Sequence, residues 1–200
     1  MVGLYLACLH LGAIHLPLNT AYPGEEIAYF LGDAAPRVVV CRPAHIDAAR
    51  ELGDKNDVAA VLSLGSNGDG SLNDEAATAT AMTDIVAADK DDVAAILYTS
   101  GTTGRSKGAM LTHNNLGSNA KTLHQAWGFQ PGDTLLHALP LFHTHGLFVA
   151  INIMLMNGGK VILLPKFDAD DVIERLPQST VLMGVPTFYT RLLAHPQFTK

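Results

Sequence analysis

Six short apolar runs recur along the chain: RVVVC at 37–41, VAAVLSL at 58–64, AAILYTS at 94–100, TLLHALP at 134–140, KVILLP at 160–165 and TVLMGVP at 180–186. Several are continuous rather than alternating, which is the pattern of strands covered on both faces, as in parallel sheets. Helical spacing fills the intervals. GEEIAYFLGDA carries Glu25 and Glu26 in a first turn, and NNLGSNAKTLHQAWGF takes Asn114 or Asn115 as its cap. DADDVIERL opens on Asp168 as a cap, and PTFYTRLLAH uses Pro186 as its first helical residue. Strand and helix alternate, so the predicted fold class is α/β, a mostly parallel sheet flanked by helices.

The opening MVGLYLACLHLGAIHLPLN has apolar positions Leu4, Ala7, Cys8 and Leu11 at helical spacing. It lacks a positive leader, carries His10 and His15, and breaks at Gly12 and Pro17, so it reads as a buried amphipathic helix and not as a signal peptide or membrane span. Residues 65–91, rich in Gly, Asn, Asp and Ala with weak periodicity, are expected to form a surface loop or linker inside a single domain. The start inside an apolar helix without a cap, and the abrupt end at RLLAHPQFTK, predict a partial domain, residues 1–200, truncated at both ends.

Composition changes this picture little. With 48% hydrophobic and 16% charged residues the 200-residue chain can bury a sizeable core. A formal net charge of -6 leaves no broad basic face, which excludes a generic nucleic-acid binder. Cys8 and Cys41 lie in apolar surroundings and read as core residues of a reduced, cytoplasmic protein.

One stretch does not read as core. YTSGTTGRSKGAMLTH, residues 98–113, combines glycines, hydroxyls and the cations Arg105 and Lys107. Glycines let a backbone curl so that successive N–H groups form an anion-binding hollow. Thr99, Ser100, Thr102 and Thr103 add hydroxyl donors, and Lys107 adds a mobile point charge. That is equipment for phosphates. The Walker pattern G-x-x-x-x-G-K-[ST] fails, because Ser106 precedes Lys107 and Gly108 follows it, and no G-x-G-x-x-G occurs here. GAMLTH is too short for a helix, so the loop is expected to join two strands. A flexible linker is the bland alternative, but linkers are seldom flanked on both sides by strand-like runs.

This stretch resembles the signature phosphate loop of the adenylate-forming superfamily, which includes acyl-CoA synthetases, luciferases and peptide-synthetase adenylation domains. The match runs through Tyr98 to Gly104, Lys107, Gly108, Thr112 and His113, and departs at Ser106, where proline is usual. LGAIHLPLNTAYPGEEIAYFLGDAAPRVVV, LPLFHTHGL, MNGGKVILLPKFD and TVLMGVPTFYTRLL extend the resemblance over nearly the whole chain; the wording of the last three is closest to malonyl-CoA synthetases. The resemblance implies an acid–thiol ligase. A carboxylic acid, malonate or a related short acid, attacks the α-phosphate of ATP to give an acyl-adenylate, and coenzyme A then displaces AMP. It further implies catalytic roles for Lys107 and Thr103. Thr99, Ser100, Gly101, Thr102, Thr103, Gly104 and Lys107 would hold ATP, and His143 would line the acyl pocket. Mg2+ is implied as a cofactor whose main protein ligand lies outside this chain. On the same ground the 200 residues alone are expected to be inactive. The alternatives are a truncated, inactive homologue that binds phosphate, nucleotide or an intact partner, a fatty-acyl-CoA ligase of another chain length, and an unrelated phosphate-binding α/β domain.

Other candidates weigh less. His143 and His145 form a His-x-His pair without a Cys or carboxylate companion, so no metal is assigned, and His145, before a turn at Gly146, reads as structural. His113 is expected to cap or satisfy local backbone. His10, His15, His45, His124, His137 and His195 read as surface or satisfied core histidines, and Trp127 and Phe129 as packing residues. Arg191 is a weak carboxylate-binding candidate against the usual reading of a solvated helix face.

Overall fold

A computed structural model describes residues 1–99 and 105–198. They fall into two compact units, one of Met1–Leu18 with Ile85–Lys200, the other of Asn19–Asp84.

The first unit starts with α1 (Val2–Leu11), closed by Gly12 in the left-handed region at φ 67°. The predicted helix is present, but its buried face is not the one expected. Tyr5 is the residue sealed from solvent, while Leu11 is 51% exposed. Apolar residues stand all round this helix, so their spacing could not reveal which side packs.

The second unit comprises α2 (Gly24–Ala34), β1 (Val38–Cys41), α3 (Ile46–Asp54), β2 (Ala60–Ser63) and α4 (Ser71–Thr78). β1 and β2 run parallel with Val38 opposite Ala60, and Phe30 and Leu31 of α2 are buried. α3 and α4 were not foreseen. Each is short and lacks a capping side chain, and α4 lies in the stretch read as loop or linker; residues 73–92 are exposed throughout.

The rest of the first unit follows in order: β3 (Val93–Thr99), β4 (Lys107–Thr112), α5 (His113–Ala126), β5 (Thr134–His137), a π-helical turn (His145–Ile151) continuing into α6 (Asn152–Asn157), β6 (Lys160–Leu163), α7 (Ala169–Arg175), β7 (Val181–Met183) and α8 (Pro186–Leu193). β5 lies between β6 and β7, parallel to both. Its successive residues point to opposite faces. Leu135 joins Ala120, Phe129, Ala150, Ile153 and Met154 on one side, and Leu136 joins Val172 and Leu192 on the other. A strand covered by α5 and α6 on one face and α7 and α8 on the other has no wet side, which is why its sequence does not alternate. β3 instead pairs antiparallel with β4, and its second edge is bridged by His15, whose N–H donates to the Ala94 carbonyl at 3.0 Å.

Caps follow the sequence in part. Asp168 accepts from the N–H groups of Asp170 and Asp171, as expected, and Pro186 opens α8. α5 is capped not by Asn114 or Asn115 but by Thr112. The Thr112 hydroxyl accepts from the Asn115 N–H at 3.1 Å, and Asn115 Oδ1 accepts from the Thr112 N–H at 2.9 Å. This is a capping box with asparagine in the place usually held by Glu or Gln. Cys8 and Cys41 are free thiols, half-buried rather than deep in the core.

Candidate active site

The β3–β4 hairpin sets the first half of the site. β3 is an apolar strand with Ala94 and Ala95 fully buried, and it ends at Thr99, directly opposite Lys107 at the start of β4. Opposed residues of an antiparallel pair project to the same face. One hydroxyl and one ammonium group, both exposed, therefore flank the two ends of the glycine- and threonine-rich connection. The expected strand-to-strand joint is found. Ser100, Gly101, Thr102, Thr103 and Gly104, assigned above to phosphate, lie outside the described residues.

His143 lies in the turn between β5 and the π-helical segment. It is exposed, and its ring stands 4.5 Å from that of Phe142, tilted by 53°. Its N–H donates to the Pro140 carbonyl at 3.3 Å, and its carbonyl accepts from the Leu147 N–H at 3.0 Å. Gly146 is not in a turn; it is buried within the π-helical run that starts at His145. π-helical turns occur disproportionately at functional sites. His145, read as structural, lines an open cleft of about 540 Å³ together with Phe129, Met183, Gly184, Tyr189 and Trp127. Trp127 is 52% exposed there, so it is not a core packing residue.

Two histidines depart from the reading as satisfied core residues. His137 ends β5 with no exposed surface, and neither ring nitrogen has a hydrogen-bond partner among the described residues. Burial, then the charge of His145, lowers its pKa to about 4; the Leu139 backbone works the other way, short of hydrogen-bond geometry. His15, 4% exposed beside the Tyr5 ring, has an unpartnered Nε2, and its pKa is likewise lowered to about 4 by burial and then by the positive N-terminus. No motif flagged either residue, because a buried unpartnered imidazole leaves no pattern in a sequence. His124 and His195 are partnered, by Asn157 Oδ1 and Asp170 Oδ1, each at 2.9 Å. Arg191 lies 4.9 Å above the Phe167 ring, which gives its guanidinium a cation–π partner.

Among the described residues no group of three His, Cys, Asp or Glu side chains is arranged to hold a metal ion, and no helix is long and apolar enough to cross a membrane.

The AMP-binding enzyme family matches residues 1–200. The mitochondrial malonate–CoA ligase of Xenopus laevis is 33% identical over 92% of the chain and 32% of its own length. The crystal structure of ATP-bound MatB from Rhodopseudomonas palustris superposes with a TM-score of 0.96 at 53% identity, over 100% of this chain and 39% of that one. A malonyl-CoA ligase complex with methylmalonyl-CoA and AMP matches at a TM-score of 0.76 and 33% identity, covering 94% of this chain and 37% of that one. The chain thus spans about a third of the length of the curated relatives it matches.

Proposed function

Because the chain belongs to the AMP-binding enzyme family, we propose that the whole protein activates a carboxylic acid with ATP and transfers the acyl group to coenzyme A, with malonate as the acid. The observation that carries this reading is the pairing of Thr99 with Lys107 across the hairpin, at the two ends of a donor-rich connection. The likeness to malonate–CoA ligases supports the choice of acid.

An anionic carboxylate must attack a polyanion, so charge has to be neutralised before the atoms can meet. Thr99 to Gly104 offer N–H and hydroxyl donors to the β- and γ-phosphates, and Lys107 meets the charge that grows on the departing pyrophosphate. Thr103 donates to the same oxygens. Magnesium, when bound, supplies further neutralisation across the phosphates. His143 lies beyond β5 as the acyl-side residue, where an imidazole N–H can donate to a substrate carboxylate. The two free thiols suit a reducing compartment.

The test is a chimera in which these 200 residues replace the matching segment of MatB, assayed with malonate, ATP and coenzyme A. Malonyl-CoA formation is expected, and Lys107→Ala should slow adenylate formation on the order of 10²-fold. Unchanged adenylate formation in Lys107→Ala would remove the lysine from the mechanism. Turnover with a longer acid but not with malonate would move the reading to another acyl chain length.

A further inference from the structure

Glycine inside a helix costs roughly 0.5–1 kcal/mol relative to alanine, so a buried helical glycine needs a reason. Gly146 is not in the left-handed region, and conformation does not demand it. Space does. A Cβ at this position would run into the Pro140 carbonyl oxygen and stand 2.9 Å from the Pro140 carbonyl carbon and 3.4 Å from that of Leu139. These are backbone atoms and cannot swing aside as a side chain would.

The same Pro140 carbonyl accepts the His143 N–H, and the His143 carbonyl is held by Leu147, the residue after Gly146. Both main-chain bonds of His143 are therefore anchored on the two sides of one bare helical position. Proline fixes φ at residue 140, so the turn cannot relieve a push there by simple rotation about that bond.

We propose that Gly146 is a positioning residue: its missing side chain lets the Pro140 carbonyl settle onto the helix and thereby sets where the His143 imidazole meets the acyl substrate. The inference rests on the reading of His143 as the acyl-side residue. It assigns Gly146 no contact with substrate, and acts only through the 140–143 turn.

Two measurements test it. In the 200-residue chain itself, Gly146→Ala should speed hydrogen exchange of the His143 amide at least about tenfold, while amides of β5 keep their protection. Unchanged exchange at His143 would overturn the inference. In the MatB chimera, His143→Ala should raise KM for malonate. Gly146→Ala should raise it too, by about tenfold or more, with KM for ATP held within about twofold. Added to His143→Ala, the glycine substitution should cost less than about twofold, as coupled residues do. An equal cost in both backgrounds, or an equal rise in KM for ATP, would mean a structural role only and sink the proposal. A malonate KM unmoved by His143→Ala would instead remove the acyl-side reading and this inference with it, whatever Lys107→Ala does. Should Gly146→Ala fail to fold, Pro140→Gly loosens the same turn without adding an atom. It should give the same malonate-selective rise that depends on His143, and its absence would count against the proposal equally.

Discussion

Thr112 sits where the β3–β4 hairpin becomes a helix, and its hydroxyl closes one half of the capping box on α5. Thr112→Ala should cost about 1 kcal/mol of stability, read as a lower urea midpoint with an unchanged slope; no shift would mean that solvent satisfies the first turn equally well. The residue scale is also where sequence reading was most uneven. The strand-to-strand joint that sets Thr99 opposite Lys107 was legible because a glycine- and hydroxyl-rich stretch follows an apolar run and is too short to hold a helix before the next cap. His137 and Gly146 were not, since one owes its character to burial and the other to a carbonyl in the turn that precedes its helix. Thr112 was missed as a cap because two asparagines just after it offered the commoner signal.

Among the elements, β5 carries the packing of the first unit. Leu136→Ala should destabilise by roughly 2–5 kcal/mol, because it leaves a cavity between the sheet and α7 and α8. Leu163→Ala on neighbouring β6, a residue 49% exposed, should stay within about 0.5 kcal/mol. Urea unfolding of the two variants checks the contrast, and equal losses would contradict the two-sided burial of β5. All six apolar runs became strands; five of them are trimmed by a residue or more at one or both ends, and β3 begins one residue early, at Val93. Strand runs were legible because burial on both faces demands apolar residues at every position. The helical stretch HGLFVAINIMLMN was not, since a segment buried nearly all round shows no period from which a helix could be read.

Over the whole molecule, the two buried imidazoles make stability depend on pH. Each is held near pKa 4 in the folded state against 6.5 when exposed. Between those values the unfolded chain binds protons that the folded chain refuses, so stability is full above about pH 6.5 and falls as pH drops towards 4. His137→Leu should flatten that fall; urea midpoints measured across the range for both proteins decide it, and parallel curves would show that His137 titrates normally. The arrangement of the first unit also has a consequence for synthesis. The His15 N–H bonds the Ala94 carbonyl, so His15, just past α1, and its strand partner are made 79 positions apart. At roughly 5–20 residues per second, a ribosome spends about 4–16 s between them. For that interval an apolar helix has left the ribosome's active centre before the strand that buries Tyr5 exists, and its apolar surface has to be shielded by something else.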